Sequence, residues 1–153
     1  MKSLSNDSKV DLAYVAGFID GEGSFTISWD SANNRAIPRL VIVNTNSYGL
    51  LYCKDIIEET LGIEGLNIFW RSRKGKKKVG QLYLDSLNLK RFTKVILPYL
   101  KIKREQADLI IRFFNNSNKA VEFFYYMTMS RLNGGQAIKQ QLKKEGVSLS
   151  EAS

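Results

Sequence analysis

Carboxylates, amides, hydroxyls and cationic side chains must carry any chemistry in this chain, because its 153 residues include no histidine and one cysteine. Histidine general bases, catalytic triads and histidine-ligated zinc, haem or iron are excluded. Cys53 cannot form an internal disulfide or a thiolate cluster, so a metal would be held by oxygen, which leaves hard cations such as Mg²⁺. The formal charge of +8 favours an anionic partner such as nucleic acid. The excess sits in two acid-free stretches of six basic residues each, Arg71 to Lys78 and Lys90 to Arg104. Setting those 12 aside from the 23 basic residues leaves 11 against 15 acidic ones, a body of net −4. Either run alone suits a solvated surface; the two together point to phosphate.

Two ready-made signatures fail. Asp20-x-Glu22-x-Ser24 starts like a calcium loop, but Phe25 stands where the glycine is needed and Ser31 where the closing Glu is needed. Gly75-Lys76 would end a P-loop, but Trp70 replaces its first glycine.

The elements that position these groups follow from periodicity. A helix is expected from about Ser8 to Ile19, stopped by Gly21-Glu22-Gly23. Ser24 to Asp30 alternates as a strand, with Phe25, Ile27 and Trp29 on one face and Ser24, Thr26 and Ser28 on the other. A turn over 32–35 and a returning strand from Ile37 to Asn44 complete a hairpin, with Pro38 near its start. Ser47 is the expected cap of a helix running to Leu61, with Leu50, Cys53, Ile57 and Leu61 inward and Gly62 as its stop. A second hairpin pairs Asn67–Arg73 with Val79–Asp85 and places Arg71 and Arg73 opposite Gln81 and Tyr83. Helices are expected over Leu87–Leu97, Arg104–Phe114, Lys119–Arg131 and Gly135–Lys144. The result is an α+β chain of αββαββα order, a four-stranded antiparallel sheet with helices on one face, plus C-terminal helices. Its length and its 44% hydrophobic content suit one domain spanning 1–153, with a core over about 8–115 and further helices over about 119–145. The polar stretch from Met1 to Asp11, and apolar runs of about five residues against the roughly 20 a bilayer needs, suggest a soluble, intracellular protein of cytoplasm, nucleoid or organelle.

The segment Val15-Ala16-Gly17-Phe18-Ile19-Asp20-Gly21-Glu22-Gly23 resembles the nine-residue signature of the LAGLIDADG homing endonucleases. Ala16, Gly17, Ile19, Asp20 and Gly23 match it, while Val15, Phe18, Gly21 and Glu22 replace Leu, Leu, Ala and the last Asp. The element order and Leu97-Pro98-Tyr99-Leu100-Lys101-Ile102-Lys103 are also similar to that family, over roughly residues 8–115. Independently, Ala13, Gly17 and Gly21 recur every four residues and give a helix face almost without side chains, on which another helix can pack closely. One motif per chain predicts a two-fold dimer through Ala13, Gly17 and Gly21, with Asp20 beside them. The alternative is that this face packs against another part of the same chain. In the family the position of Asp20 is chiefly structural, and a local cap or hydrogen bond is expected for it.

Glu22 would lie just past the helix end, where the macrodipole disfavours an unpaired carboxylate and a bound cation would reverse the penalty. Two such helices side by side would bring both Glu22 carboxylates and the Gly21 carbonyls together, an oxygen-lined site suited to Mg²⁺. Outside that setting Glu22 reads as an ordinary turn residue. The resemblance implies Mn²⁺ as a substitute and Ca²⁺ as supporting binding without cleavage. It also implies that Asn46 orients water and that Lys103 stabilises the scissile phosphate; their plain alternatives are a cap and a surface charge. The family's arginine after the second strand is missing, with Leu50 near its place. The implied activity is that of a homodimeric, metal-dependent endonuclease cutting both strands of a long, partly palindromic DNA target to leave short 3′ overhangs. DNA contacts would come from Ser24, Thr26, Ser28, Arg35, Arg39, Gln81 and Tyr83 on the sheet, and from Arg71, Arg73, Lys74 and Lys76 around the basic turn. The alternatives are a non-cleaving relative, either a DNA-binding regulator or an RNA maturase assisting intron splicing, and a basic RNA-binding protein of ribosomal type.

Overall fold

Alternation from Ser24 onward puts one residue in two out of water, and in the computed structural model, which describes residues 5–134, it forms strand β1 (Gly23–Asp30). Phe25 and Ile27 are buried and Trp29 is half-buried on one face, while Ser24, Thr26 and Ser28 lie on the other. Asp30 closes the following turn by accepting from the Ala32 and Asn33 amides, and Asn34 takes positive φ there. β2 (Arg35–Asn44) returns antiparallel, pairing Thr26 with Arg39 and Ser24 with Val41. Pro38 falls before the β2–β4 ladder begins at Arg39, where a missing donor is tolerated. β3 (Ile68–Arg71) and β4 (Val79–Asp85) complete a sheet of order β1-β2-β4-β3, antiparallel throughout.

The helices cover one face of this sheet. They are α1 (Asn6–Glu22), α2 (Ser47–Leu61), α3 (Ser86–Ile96), α4 (Arg104–Asn116) and α5 (Lys119–Leu132), with a short 3₁₀ turn at Leu97–Tyr99. Leu50, Cys53, Ile57 and Leu61 of α2 are all buried, and Gly62 ends the helix in the left-handed region at φ 64°. Burial pushes the Cys53 thiol up to about 12, which makes it a packing residue rather than a nucleophile. α5 is tied across the hairpin: the Glu122 carboxylate accepts from the Ala36 amide at 2.8 Å, and the Asn133 amide nitrogen donates to the Phe25 carbonyl at 2.8 Å. Phe123 meets Trp29 edge-on at 5.3 Å.

The αββαββα order holds, with four adjustments. α1 runs through Gly21 and Glu22 instead of stopping before them, and Gly23 opens β1. Asn46, not Ser47, caps α2: its side chain accepts from the Gly49 amide, and Ser47 is the first helical residue. β3 ends at Arg71, which pairs with Val79, so neither Arg71 nor Arg73 stands opposite Gln81 or Tyr83, and Arg73 belongs to the connection. The helix expected over Gly135–Lys144 lies outside the described residues. No helix among the described residues is long and apolar enough to cross a membrane.

Gly80 shows how tightly α2 meets the sheet. A Cβ there would lie 2.5 Å from Leu50 Cδ1 and 2.8 Å from Trp70 Cζ3, and Leu50 is fully buried. Gly80→Ala is therefore expected to lower the unfolding free energy by about 1–3 kcal/mol, the usual cost of overpacking, read by urea denaturation.

Candidate functional site

Three chemical groups meet at the carboxyl end of α1. The Lys103 ammonium donates to the carbonyls of Ile19 and Asp20, at 2.9 Å each. The Asp20 carboxylate answers by accepting from the backbone amides of Lys101 (2.8 Å) and Lys103 (2.9 Å). Glu22, the last residue of the helix, is exposed beside them and its charge reaches Lys103. Neither the Glu22 carboxylate nor the Gly21 carbonyl has a hydrogen-bond donor among the described residues. These are the two oxygens foreseen for a cation, and they are the ones left open when Lys103 takes the carbonyls before them.

Charge and burial set the ionisation here. Partial burial alone would raise the Asp20 carboxyl, but the amides of Lys101, Lys103 and Ile102 and the Lys103 charge outweigh it and hold the group below its ordinary value. Burial lowers the Lys103 ammonium, and the Asp20 and Glu22 carboxylates oppose that shift. The expectation for Asp20 is a local bond or a place at a dimer interface. Its carboxylate bonds are not local: they fasten α1 to a loop 81 and 83 residues away.

Asn46 stands one turn back along the helix. Its side-chain oxygen is spent on the Gly49 amide at 3.1 Å, and a Cβ on Gly49 would lie 2.8 Å from the Phe18 ring. Phe18 precedes Glu22 by four residues, about 6 Å of helix rise. The Asn46 side-chain nitrogen is the group left to donate. Leu50 is wholly buried and contributes nothing polar. Among the described residues no three His, Cys, Asp or Glu side chains cluster as a metal site. One carboxylate and one carbonyl are hard-oxygen donors that fit Mg²⁺ in kind but make only a fraction of its shell.

The small-residue stripe is open. Ala13, Gly17 and Gly21 are all exposed, and a Cβ at Gly17 or Gly21 would meet nothing within 4 Å. The alternative in which this face packs within its own chain is therefore ruled out for the described residues. What flanks the stripe is not foreseen from the sequence: Val10 and Tyr14 on α1 and Tyr48, Leu51 and Tyr52 on α2 are exposed, with Tyr48 84% accessible. Tyr14 and Tyr52 meet edge-on at 5.1 Å, and the Tyr52 hydroxyl donates to Asp11. An apolar shelf of this kind is legible only as exposed positions on two helices whose faces the sequence does not orient.

The sheet's open face gathers the expected contact residues. Register aligns Ser24 with Val41 and Tyr83, Thr26 with Arg39, Ser28 with Ile37, and Val43 with Gln81 and Phe69. Thr26 and Ser28 donate to the Arg39 and Ile37 carbonyls at 3.4 Å, and the Arg39 guanidinium lies 5.6 Å from the Tyr83 ring centroid. Arg35 is exposed opposite Asp30 at the hairpin end. Arg71, Arg73, Lys76 and Lys77 line a cavity of about 220 Å³ with Val79 and Gln81, and Lys74 is exposed in the same turn. The second basic run behaves differently. Arg91 donates to the Leu61 carbonyl at 2.8 Å and Lys103 to the end of α1, so both close helix ends instead of lining the sheet.

No protein-family model and no curated protein matches the chain in sequence. Its fold matches solved structures. The homing endonuclease I-CvuI, solved in complex with the I-CreI target in 2 mM Mg with its DNA not cleaved, is 18% identical, with a TM-score of 0.66 over 95% of this chain and 100% of that one. A second complex of I-CvuI, with its own target in 2 mM Ca, gives a TM-score of 0.60. The LAGLIDADG meganuclease I-AabMI, bound to uncleaved DNA, is 21% identical, with a TM-score of 0.54 over 87% of this chain and 49% of that one. The chain has the LAGLIDADG homing-endonuclease fold.

The Asp20 bonds predict a pH signature. Its carboxyl is depressed in the folded state, so the stabilisation is complete above the unfolded value of about 3.9 and is lost as pH falls through the folded value. Asp20→Ala should cost about 1–2 kcal/mol at pH 7, and the gap to the parent should close in urea titrations carried to progressively lower pH.

Proposed function

We propose that the chain acts as a homodimeric, divalent-metal-dependent DNA endonuclease of the homing type. The observation that carries the reading is an open Glu22 carboxylate and Gly21 carbonyl at the end of an exposed stripe of small residues, which would make half of a shared site. Pairing two copies through that stripe places two carboxylates and two carbonyls together. The match in length supports it, since the chain spans the whole of I-CvuI and about half of I-AabMI. The exposed Tyr14, Tyr48 and Tyr52 would extend the interface beyond the stripe.

Glu22 and Gly21 from both copies would hold Mg²⁺, which when bound supplies charge stabilisation at phosphoryl oxygens and a more acidic water. Lys103 keeps its ammonium in place with two bonds to α1 and has a third N–H for a non-bridging phosphate oxygen, where charge develops. The free amide donor of Asn46 would orient water. The open sheet faces of the pair would lie along the major groove, with Ser24, Thr26, Ser28, Arg39 and Gln81 toward base edges. Arg35 and the exposed turn holding Arg71, Arg73, Lys74 and Lys76 would meet phosphates, which makes binding strongly salt-dependent.

Two variants test this. Glu22→Gln should abolish nicking and double-strand cleavage in Mg²⁺, a loss of roughly 100-fold or more, while sequence-selective duplex binding persists in Ca²⁺. Retained cleavage sinks the assignment of Glu22, and intron splicing without DNA nicking by the parent chain would establish the maturase reading instead. A Cβ at Gly17 has nothing within 4 Å among the described residues, so in Gly17→Leu the helix content and melting of the monomer should survive while solution mass falls from dimer to monomer. An unchanged dimer would place the interface elsewhere.

A further inference from the structure

The apolar Ile37, Val41 and Val43 on the open sheet face are half-buried, and one large apolar residue beside them stands out into solvent. Phe69 of β3 is 55% exposed, directly opposite Gln81 and two residues from Arg71. A lone exposed phenylalanine needs no explanation, but this one belongs to an ordered row across three strands. Its ring meets Tyr83 at 5.7 Å, and the other side of that row is the Arg39 guanidinium over Tyr83. The Tyr83 hydroxyl donates to the Gln81 side-chain oxygen. That bond engages the amide's acceptor and leaves its two N–H groups as the free ones.

We infer that Phe69 and Gln81 together read a thymine in the major groove, an inference that rests on the DNA-binding reading above. Thymine alone among the bases shows an acceptor, O4, beside a methyl group in that groove. A Gln81 N–H supplies the donor for O4, and the exposed Phe69 ring supplies the apolar surface for the C5 methyl. Guanine and adenine offer acceptors to the same amide but nothing for the ring, and cytosine offers a donor. Arg39 and Tyr83 position the pair: the cation holds the Tyr83 ring, and the Tyr83 hydroxyl fixes the amide of Gln81. RNA, which carries uracil, lacks the methyl, so the arrangement favours DNA over RNA of the same sequence.

Selection can supply the target sequence for the test. A library of randomised DNA duplexes is selected by the full-length protein in Ca²⁺, and the recovered consensus is rebuilt with each thymidine replaced in turn by deoxyuridine, which removes only the methyl. Affinity should fall about fourfold at one position in each half-site, the effect of one buried methyl group. Phe69→Ala should bind the thymidine duplex about as weakly as the parent binds the deoxyuridine duplex and should no longer distinguish them. Phe69→Leu, still apolar, should keep part of the distinction. A consensus with no position sensitive to deoxyuridine, or a Phe69→Ala variant with the full preference intact, overturns the inference and leaves the DNA-binding reading standing. Failure to enrich any duplex overturns both.

Discussion

The carboxyl end of α1 is held by a reciprocal exchange between residues more than eighty positions apart, and the candidate chemistry depends on it. Lys103 gives its ammonium to the carbonyls of Ile19 and Asp20, and Asp20 gives its carboxylate to the amides of Lys101 and Lys103. A helix end is short of donors for its last carbonyls and carries partial negative charge, so a cation there satisfies both needs. The consequence is positional. With the preceding carbonyls occupied, the helix continues through Gly21 and delivers Glu22 to the surface as its final residue.

The other half of the proposed function depends on an asymmetry of layers. The five helices of the described residues crowd one side of the sheet, where Phe25, Leu40, Ile42, Leu82 and Leu84 are buried, and they leave the opposite side to solvent. An antiparallel sheet allows this because alternate residues face opposite ways. The open face mixes hydroxyls, an amide, guanidinium groups, the Phe69 and Tyr83 rings and the half-buried Ile37, Val41 and Val43 in fixed register. α1 turns its small-residue stripe away from its own core, so among the described residues the packing that builds the core leaves both candidate surfaces uncovered.

Local patterns were readable and distant partnerships were not. Period-two alternation in β1 and the spacing of Leu50, Cys53, Ile57 and Leu61 in α2 each describe one face of one element, and both faces turn inward as expected, with Trp29 at the end of β1 half-buried. Ser47 and Asn46 are adjacent residues equally suited to capping, and only the chain path decides that Asn46 does it. Gly21-Glu22-Gly23 reads as a stop because glycine costs about 1 kcal/mol in a helix, a penalty that the Lys103 contacts, invisible in a linear sequence, help to offset. The same blindness merged two kinds of lysine and arginine. The run around Lys76 is an exposed turn at the sheet, while Arg91 and Lys103 spend their charge on helix ends.

That division of basic residues bears on how two copies would share one site. If α1 helices pair side by side, their negative ends and both Glu22 carboxylates converge, a repulsive arrangement without compensation. Lys103 from each copy supplies part of the compensation, from behind the carbonyls and not between the carboxylates, so it eases the repulsion without filling the site. The remaining negative charge is what a divalent cation would have to balance, and an approaching phosphate backbone, itself anionic, would add to the demand for metal. A chain that closed this end with a second internal lysine would pair more readily and have no use for a metal; leaving Glu22 and Gly21 without donors among the described residues would couple dimerisation, cation and DNA in one electrostatic balance.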